Sequence, residues 1–274
     1  MAESNFKVLF KAVSEGNVTK VKRLIQLGGN VTSPSTDFSL FHVAASYGRA
    51  DIINAMSSLG AYVRTPTKDG STPVLIAARD GRVDAIRALY SLGADILTPN
   101  NDGVTPVFIA AANGHVDSII TLIELGADVN TAANDGVTPV FTAARDGHVH
   151  AVKTLAAFGA AVNISDNDGC TPVFVAAQNG HVSTIKTLSH FEADVNIAQK
   201  DGATPVLIAA HHGHANAIKA LGALGADVNT PHKGGATPMY AAALEGHVST
   251  IKALAVLGAN LNTPDNDGAT PVYA

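Results

Sequence analysis

Histidine is the first residue type in this chain whose placement invites chemistry. His115, His148, His181, His214 and His247 recur at a constant step of 33 residues. Imidazoles that converge can bind a metal or carry protons. Zinc holds its nitrogens at about 2.0–2.1 Å, whereas packed helices of neighbouring units stand roughly 8–10 Å apart. Equivalent histidines one period apart are therefore too distant to share an ion. His211, His212 and His214 lie closer together but lack a convincing fourth ligand. The sequence predicts no metal site, and leaves a pH-sensitive contact open at these residues. Aspartate repeats as well, at Asp69, Asp102, Asp135, Asp168, Asp201 and Asp267. These carboxylates are copies of a frame, a poor setting for a catalytic pair that needs unlike environments. Cys170 is the single cysteine. A nucleophile needs a base and an orienting group within reach, and no triad order, phosphate loop or Cys-His-Asn set accompanies it. The expectation is a non-enzymatic chain with no catalytic residue and no cofactor.

The elements that carry these residues follow from the period. Each of those aspartates precedes a glycine, and Gly234-Gly235 fills the one gap. Thr-Pro recurs in the same register from Thr72-Pro73 to Thr270-Pro271, as does glycine at 48, 81, 114, 147, 180, 213 and 246. Residues 100–132 show one unit. Asn101, Asp102 and Gly103 form a hairpin tip. Thr105 caps a helix with Pro106 at its first position, where a missing N–H costs nothing. Val107 to Asn113 is a short helix, ended by the left-handed Gly114. Val116 to Leu125 is a second helix, closed by Gly126, and Ala127 to Asn130 lead to the next hairpin. Neither helix is long enough to be stable alone in water. Each must bury its apolar face on the neighbouring unit, which gives a one-dimensional stack.

The run from Asp102 to Val116 (DGVTPVFIAAANGHV) with Leu125 to Asn130 (LGADVN) resembles the ankyrin repeat. The resemblance covers essentially the whole chain. It implies an all-α ankyrin-repeat solenoid of helix-turn-helix units joined by β-hairpin-like loops. Residues 1–274 read as a single domain: an N-terminal capping repeat over 1–34, seven repeats over 35–264, and a truncated repeat at 265–274 with no C-terminal cap. The family motif Thr-Pro-Leu-His is altered. Leu75, Phe108, Phe141, Phe174, Leu207 and Tyr240 stand at the histidine position, so apolar packing is expected to replace its polar bonds. The second helices carry Ala85, Ser118, Ala151, Thr184, Ala217 and Thr250 where larger aliphatics are usual. The family is also a substrate class for asparaginyl hydroxylases, which favour a leucine eight residues upstream. Leu122 with Asn130, Leu155 with Asn163, Leu188 with Asn196 and Leu221 with Asn229 match that spacing; the preferred reading is that these asparagines simply build the hairpins.

Composition narrows the partners. The chain has 274 residues, 46% hydrophobic and 15% charged, which is too apolar for disorder. A formal charge of −5 argues against a nucleic-acid surface. No apolar stretch approaches the roughly 18 residues that span a bilayer. The N-terminus lacks a secretory pattern, and one cysteine fits a reducing compartment. A cytoplasmic monomer is expected.

The resemblance implies binding in a concave groove lined by hairpin tips and first-helix residues. Comparing units within the chain, the two positions before the inter-helix glycine change almost every time. Tyr47, Arg79, Asp80, Asn113, Arg145, Asp146, Gln178, Asn179, His211 and His212 are the candidate partner-binding residues. A solvated face under no constraint would vary in the same way. The aspartate ladder, if it acts, favours a basic protein partner. A second ladder of Lys153, Lys186, Lys219 and Lys252, with Lys22 and Arg87 in equivalent places, reads as a solvated helix face. Cys170 follows Asp168-Gly169 at a variable tip and is expected to be exposed. The alternative function is a structural spacer or targeting arm of a longer protein.

Overall fold

The computed structural model describes residues 2–31, 38–61, 63 and 66–273. The expected boundary between residues 34 and 35 lies outside the described residues. Sixteen α-helices occur among them, in eight pairs. The chain divides into two compact units, Met1–Asn134 and Asp135–Ala274. The first contains α1 (Ala2–Ser14), α2 (Val18–Gln26), α3 (Leu40–Ser46), α4 (Ala50–Ser58), α5 (Pro73–Arg79), α6 (Val83–Ser91), α7 (Pro106–Ala112) and α8 (Val116–Glu124). The second contains α9 (Pro139–Arg145), α10 (Val149–Ala157), α11 (Pro172–Gln178), α12 (Val182–His190), α13 (Pro205–His211), α14 (Ala215–Ala223), α15 (Pro238–Leu244) and α16 (Val248–Val256).

The local signals explain these boundaries. Thr105 accepts the Phe108 N–H at 3.2 Å, satisfying one of the bare donors of α7, and Pro106 opens the helix. The same cap recurs at Thr72, Thr138, Thr171, Thr204 and Thr237. Two alanines in the last turn of most first helices let adjacent backbones approach. Gly114 then takes φ +69°, a left-handed conformation that a side chain resists. Asn113 and Leu125 are caps rather than helical residues, one position short of the expected ends.

Within each unit, first helices pack on first helices and second helices on second helices. Ile86, Leu89, Ile119 and Leu122 fill the core of the first unit; Val152, Leu155, Ile185 and Leu188 fill that of the second. All are inaccessible to solvent, so each short helix is stabilised by its neighbours rather than by itself. Solenoid stacking is thus realised within both units.

The connecting hairpins are tight turns, and no strand forms among the described residues. The Gly70 N–H donates to the Thr67 carbonyl at 2.9 Å, and the Thr67 N–H to the Ser71 carbonyl at 3.0 Å. This is a three-residue hairpin closed by a left-handed glycine. It is too short for a ladder, but neighbouring tips bond to one another. The Asn101 N–H reaches the Asp69 carbonyl at 2.9 Å, and its side chain the Lys68 carbonyl at 2.9 Å. In the second unit Asn167, Lys200, Lys233 and Asn266 continue the pattern onto Asp135, Asp168, Asp201 and Gly234. Residues 271–273, in the expected truncated repeat, form a turn. No described helix is long and apolar enough to cross a membrane.

Candidate functional site

Each first helix ends in a residue that can vary. Arg79, Arg145, Gln178 and His211 are last helical residues; Tyr47, Asp80, Asn113, Asp146, Asn179 and His212 are the caps that follow. Eight of these ten side chains are exposed, while Asp80 and Gln178 are half-buried. Within each unit their positions recur along a ridge, because the left-handed glycine after them always turns the chain at the same place.

The ridge is not a row of independent side chains. Arg79 Nε donates to Asp80 Oδ1 at 2.9 Å, and Ser46 Oγ of the preceding repeat donates to Asp80 Oδ2 at 2.6 Å. Partial burial pushes the Asp80 carboxyl up, but the Arg79 and Ser46 bonds outweigh it and hold the pKa below its ordinary value. Arg145 repeats the pairing, 3.1 Å from Asp146, and adds a 2.9 Å bond to Thr142 Oγ1. Exposed pairs of this kind contribute about 0–1 kcal/mol; their effect here is to fix two guanidinium planes. Asn113 and Asn179 instead bond back to the Ile109 and Val175 carbonyls at 2.8 and 3.0 Å, capping their own helices. His211 Nδ1 lies 3.7 Å from Glu245 Oε1 of the next repeat, and its ring meets His212 edge-on at 5.0 Å. Burial, then the neighbouring His211, lowers the pKa of His212.

Behind the ridge, the recurring histidines have a structural task. His115 Nε2–H donates to the Arg79 carbonyl at 2.9 Å. His181, His214 and His247 do the same to Arg145, Gln178 and His211, at 3.1, 2.9 and 3.0 Å. Each ring lies on the left-handed glycine of the preceding repeat: a Cβ on Gly180 would stand 2.7 Å from His214 Nδ1. Among the described residues, no group of three or more His, Cys, Asp or Glu could hold a metal ion. Sequence reasoning missed that Arg49 and Arg82 do this work in the first unit, donating to the Ser14 and Ser46 carbonyls at 2.8 and 2.9 Å. Their register directly after Gly48 and Gly81 was the available signal.

His42 was also missed. It occupies the motif position held elsewhere by leucine, phenylalanine or tyrosine, and is fully buried. Nδ1 accepts the Ser39 N–H at 3.0 Å, which leaves the proton on Nε2, 3.1 Å from the Ser71 carbonyl. Serine at 39, one period before Thr72, marked the register. Leu75, Phe108, Phe141, Phe174 and Leu207 pack into the core, as the altered motif implied, whereas Tyr240 is only half-buried and keeps a polar bond, to the Asp265 side chain.

Asp69 accepts from the Thr67 and Ser71 side chains, and the other tip aspartates fall into two groups. Where Asn100, Asp166 or Asp265 begins the turn, that side chain takes the tip N–H groups, and Asp102, Asp168 and Asp267 project without a hydrogen bond to their carboxylates. Where Ala133 or Gln199 begins it, Asp135 and Asp201 accept the N–H two residues on, at 3.1 and 2.9 Å. Cys170 is not the exposed thiol expected. It is half-buried, its Sγ donates to Gln199 Oε1 at 3.1 Å, and burial with Asp166, Asp168 and Asp201 nearby pushes its pKa up to about 12. The asparagines of the loops are structural too. Asn196 Nδ2 reaches the Gly225 carbonyl at 3.3 Å while its Oδ1 accepts the Asp227 N–H at 2.9 Å, and Asn163 bridges likewise to Glu192 and Asp194.

Two comparisons bear on this architecture. A segment of 71 residues is 37% identical to the mouse (Mus musculus) 2-5A-dependent ribonuclease, covering 25% of this chain and 10% of that protein. The chain thus spans about a tenth of the relative it matches, and the likeness lies in the repeats, so it does not show ribonuclease activity. The family model described as "Ankyrin repeats (3 copies)" matches residues 41–133, 130–199 and 185–265. With capped helix pairs, left-handed glycines and tied hairpins at the same period, the chain belongs to the ankyrin-repeat family, whose repeats are non-catalytic modules for protein–protein interaction.

Proposed function

We propose that the chain binds a protein partner through the variable ends of its first helices: Tyr47, Arg79, Asp80 and Asn113 in the first unit, and Arg145, Asp146, Gln178, Asn179, His211 and His212 in the second. One observation supports this most. At Arg79, Arg145, Gln178 and His211 the backbone carbonyl is bonded to the next repeat while the side chain is free to be arginine, glutamine or histidine. A frame fixed in this way lowers the ordering cost of binding. The projecting carboxylates of Asp102, Asp168 and Asp267 favour a partner with basic residues, through encounter rate and orientation.

Affinity capture from the cell of origin tests the proposal, comparing wild type with a variant carrying Arg79→Ala, Arg145→Ala and His211→Ala. The expected result is a partner lost only from the variant, with its circular dichroism unchanged. A partner retained by both would place binding elsewhere. The second reading, a spacer or targeting arm, draws support from the ribonuclease match, in which the aligned segment is a small part of a much longer protein. Capture by neither form, with a further domain encoded in the same reading frame, would favour it.

A further inference from the structure

Most second helices of the two units differ in charge. In the first unit α2 is basic, with Lys20, Lys22 and Arg23, but α4, α6 and α8 carry Asp51, Asp84, Asp117 and Glu124, and Arg87 is paired with Glu124 at 3.2 Å. In the second unit, α10, α12, α14 and α16 contain no carboxylate, and each places one lysine at the same position: Lys153, Lys186, Lys219 and Lys252. All four are exposed, and among the described residues none of them forms an ion pair. Four like charges in a row, with no internal counter-charge, leave a positive stripe to be neutralised from outside.

The stripe borders an apolar recess. Between α14 and α16 lies a groove of about 390 Å³, flanked by Lys219 and Lys252 and lined by Ser249, Ala253, Val256 and Leu257. α14 has Gly222 where the other second helices of the unit have Ala156, Ser189 and Ala255. Leu257 leans into the space so left: a Cβ on Gly222 would lie 2.6 Å from Leu257 Cδ1. Val256 is 88% exposed, a large apolar side chain with nothing over it.

We propose that this face docks an acidic amphipathic helix of a protein partner, with its carboxylates on the lysines and one apolar side chain in the groove. The spacing fits. Stacked helices repeat at roughly 8–10 Å, and residues seven apart on a helix lie about 10.5 Å apart on one side. A helix crossing α12, α14 and α16 therefore meets one lysine every two turns. A nucleic acid is the poorer match: the groove offers no aromatic platform for a base.

The probe is a fluorescein-labelled amphipathic peptide with glutamate once per heptad and leucine on the same face, titrated by anisotropy into the full chain. Binding is expected to weaken about tenfold or more with Lys219→Glu and Lys252→Glu together. It should change less than about twofold in a charge-matched variant carrying Lys20→Glu and Lys68→Glu. Gly222→Ala, which improves helix propensity and so keeps the fold, should push Leu257 into the groove and weaken binding with every lysine in place. The ridge variant should bind normally. No binding, equal loss in the charge-matched variant, stronger binding of an oligothymidylate, or a second copy occupying the face in sedimentation would each overturn the proposal.

Discussion

Replacing one glycine at a time separates two ways in which glycine serves this chain. Gly180 and Gly225 both sit in the left-handed region, at φ +70° and +86°. Alanine at either must adopt a conformation that costs about 1–2 kcal/mol. At Gly225 nothing lies within 4 Å of the added methyl, so the loss ends there. At Gly180 the methyl would stand 2.7 Å from His214 Nδ1 and 2.9 Å from Cγ. The ring must move, overpacking costs about 1–3 kcal/mol, and the bond to the Gln178 carbonyl is forfeited for about 0.5–1.5 kcal/mol more. Gly180→Ala should therefore destabilise by about 2.5–6.5 kcal/mol, against about 1–2 kcal/mol for Gly225→Ala. Urea unfolding followed by circular dichroism reads both. Adding His214→Ala to Gly180→Ala should recover part of the difference, because the ring that clashes is gone. Equal shifts at the two glycines, or no recovery in the double variant, would refute the claim that histidine on glycine joins adjacent repeats.

Two further outcomes follow from single residues. Glu192 is the only described residue other than glycine with positive φ, at 65°, and it stands where the other repeats have glycine; Glu192→Gly should stabilise by about 0.5–1 kcal/mol, read as a higher urea midpoint. Burial lowers the pKa of His42 from its ordinary 6.5, against the opposing pull of the Ser71 carbonyl. The unfolded chain then binds the proton more readily, so this residue's contribution is whole above about pH 6.5 and is lost as the pH falls toward the folded value. Unfolding midpoints measured from pH 7 down to 5 should fall less steeply in His42→Phe, which borrows the residue used at 108, 141 and 174, than in wild type.

Much of this was legible because the period repeats its own checks. Threonine before proline, glycine after seven helical residues and Asp-Gly at the tips each act within four residues of themselves, where sequence spacing is also spatial spacing. What escaped notice acts between repeats. That Arg49, Arg82 and His115 share one role follows from the carbonyl each reaches, about one repeat back, and not from their types. Cys170 looked exposed because tips usually are, but Gln199 of the next hairpin covers it. The difference between Asp102 and Asp135 depends on whether Asn100 or Ala133 begins the turn. On the ridge, the variable positions were readable, whereas the Arg79–Asp80 and Arg145–Asp146 pairings needed coordinates.

The ties between repeats in the second unit all have nearly the same reach along the chain: 36 residues for the histidine bonds, 33 for the hairpin tips, 31 and 29 for the asparagine bridges. Every one joins a repeat only to its immediate neighbour. Excising residues 181–213 would bring His247 onto the Gln178 carbonyl in place of that of His211, with each glycine, threonine and asparagine meeting a counterpart of its own kind. Duplicating the same segment would do likewise. The number of repeats is thus not set by the interior at all. A gene encoding such a chain can gain or lose whole repeats by recombination between its own copies without breaking a bond type, and length becomes a property selection can adjust to the size of whatever the surface must span.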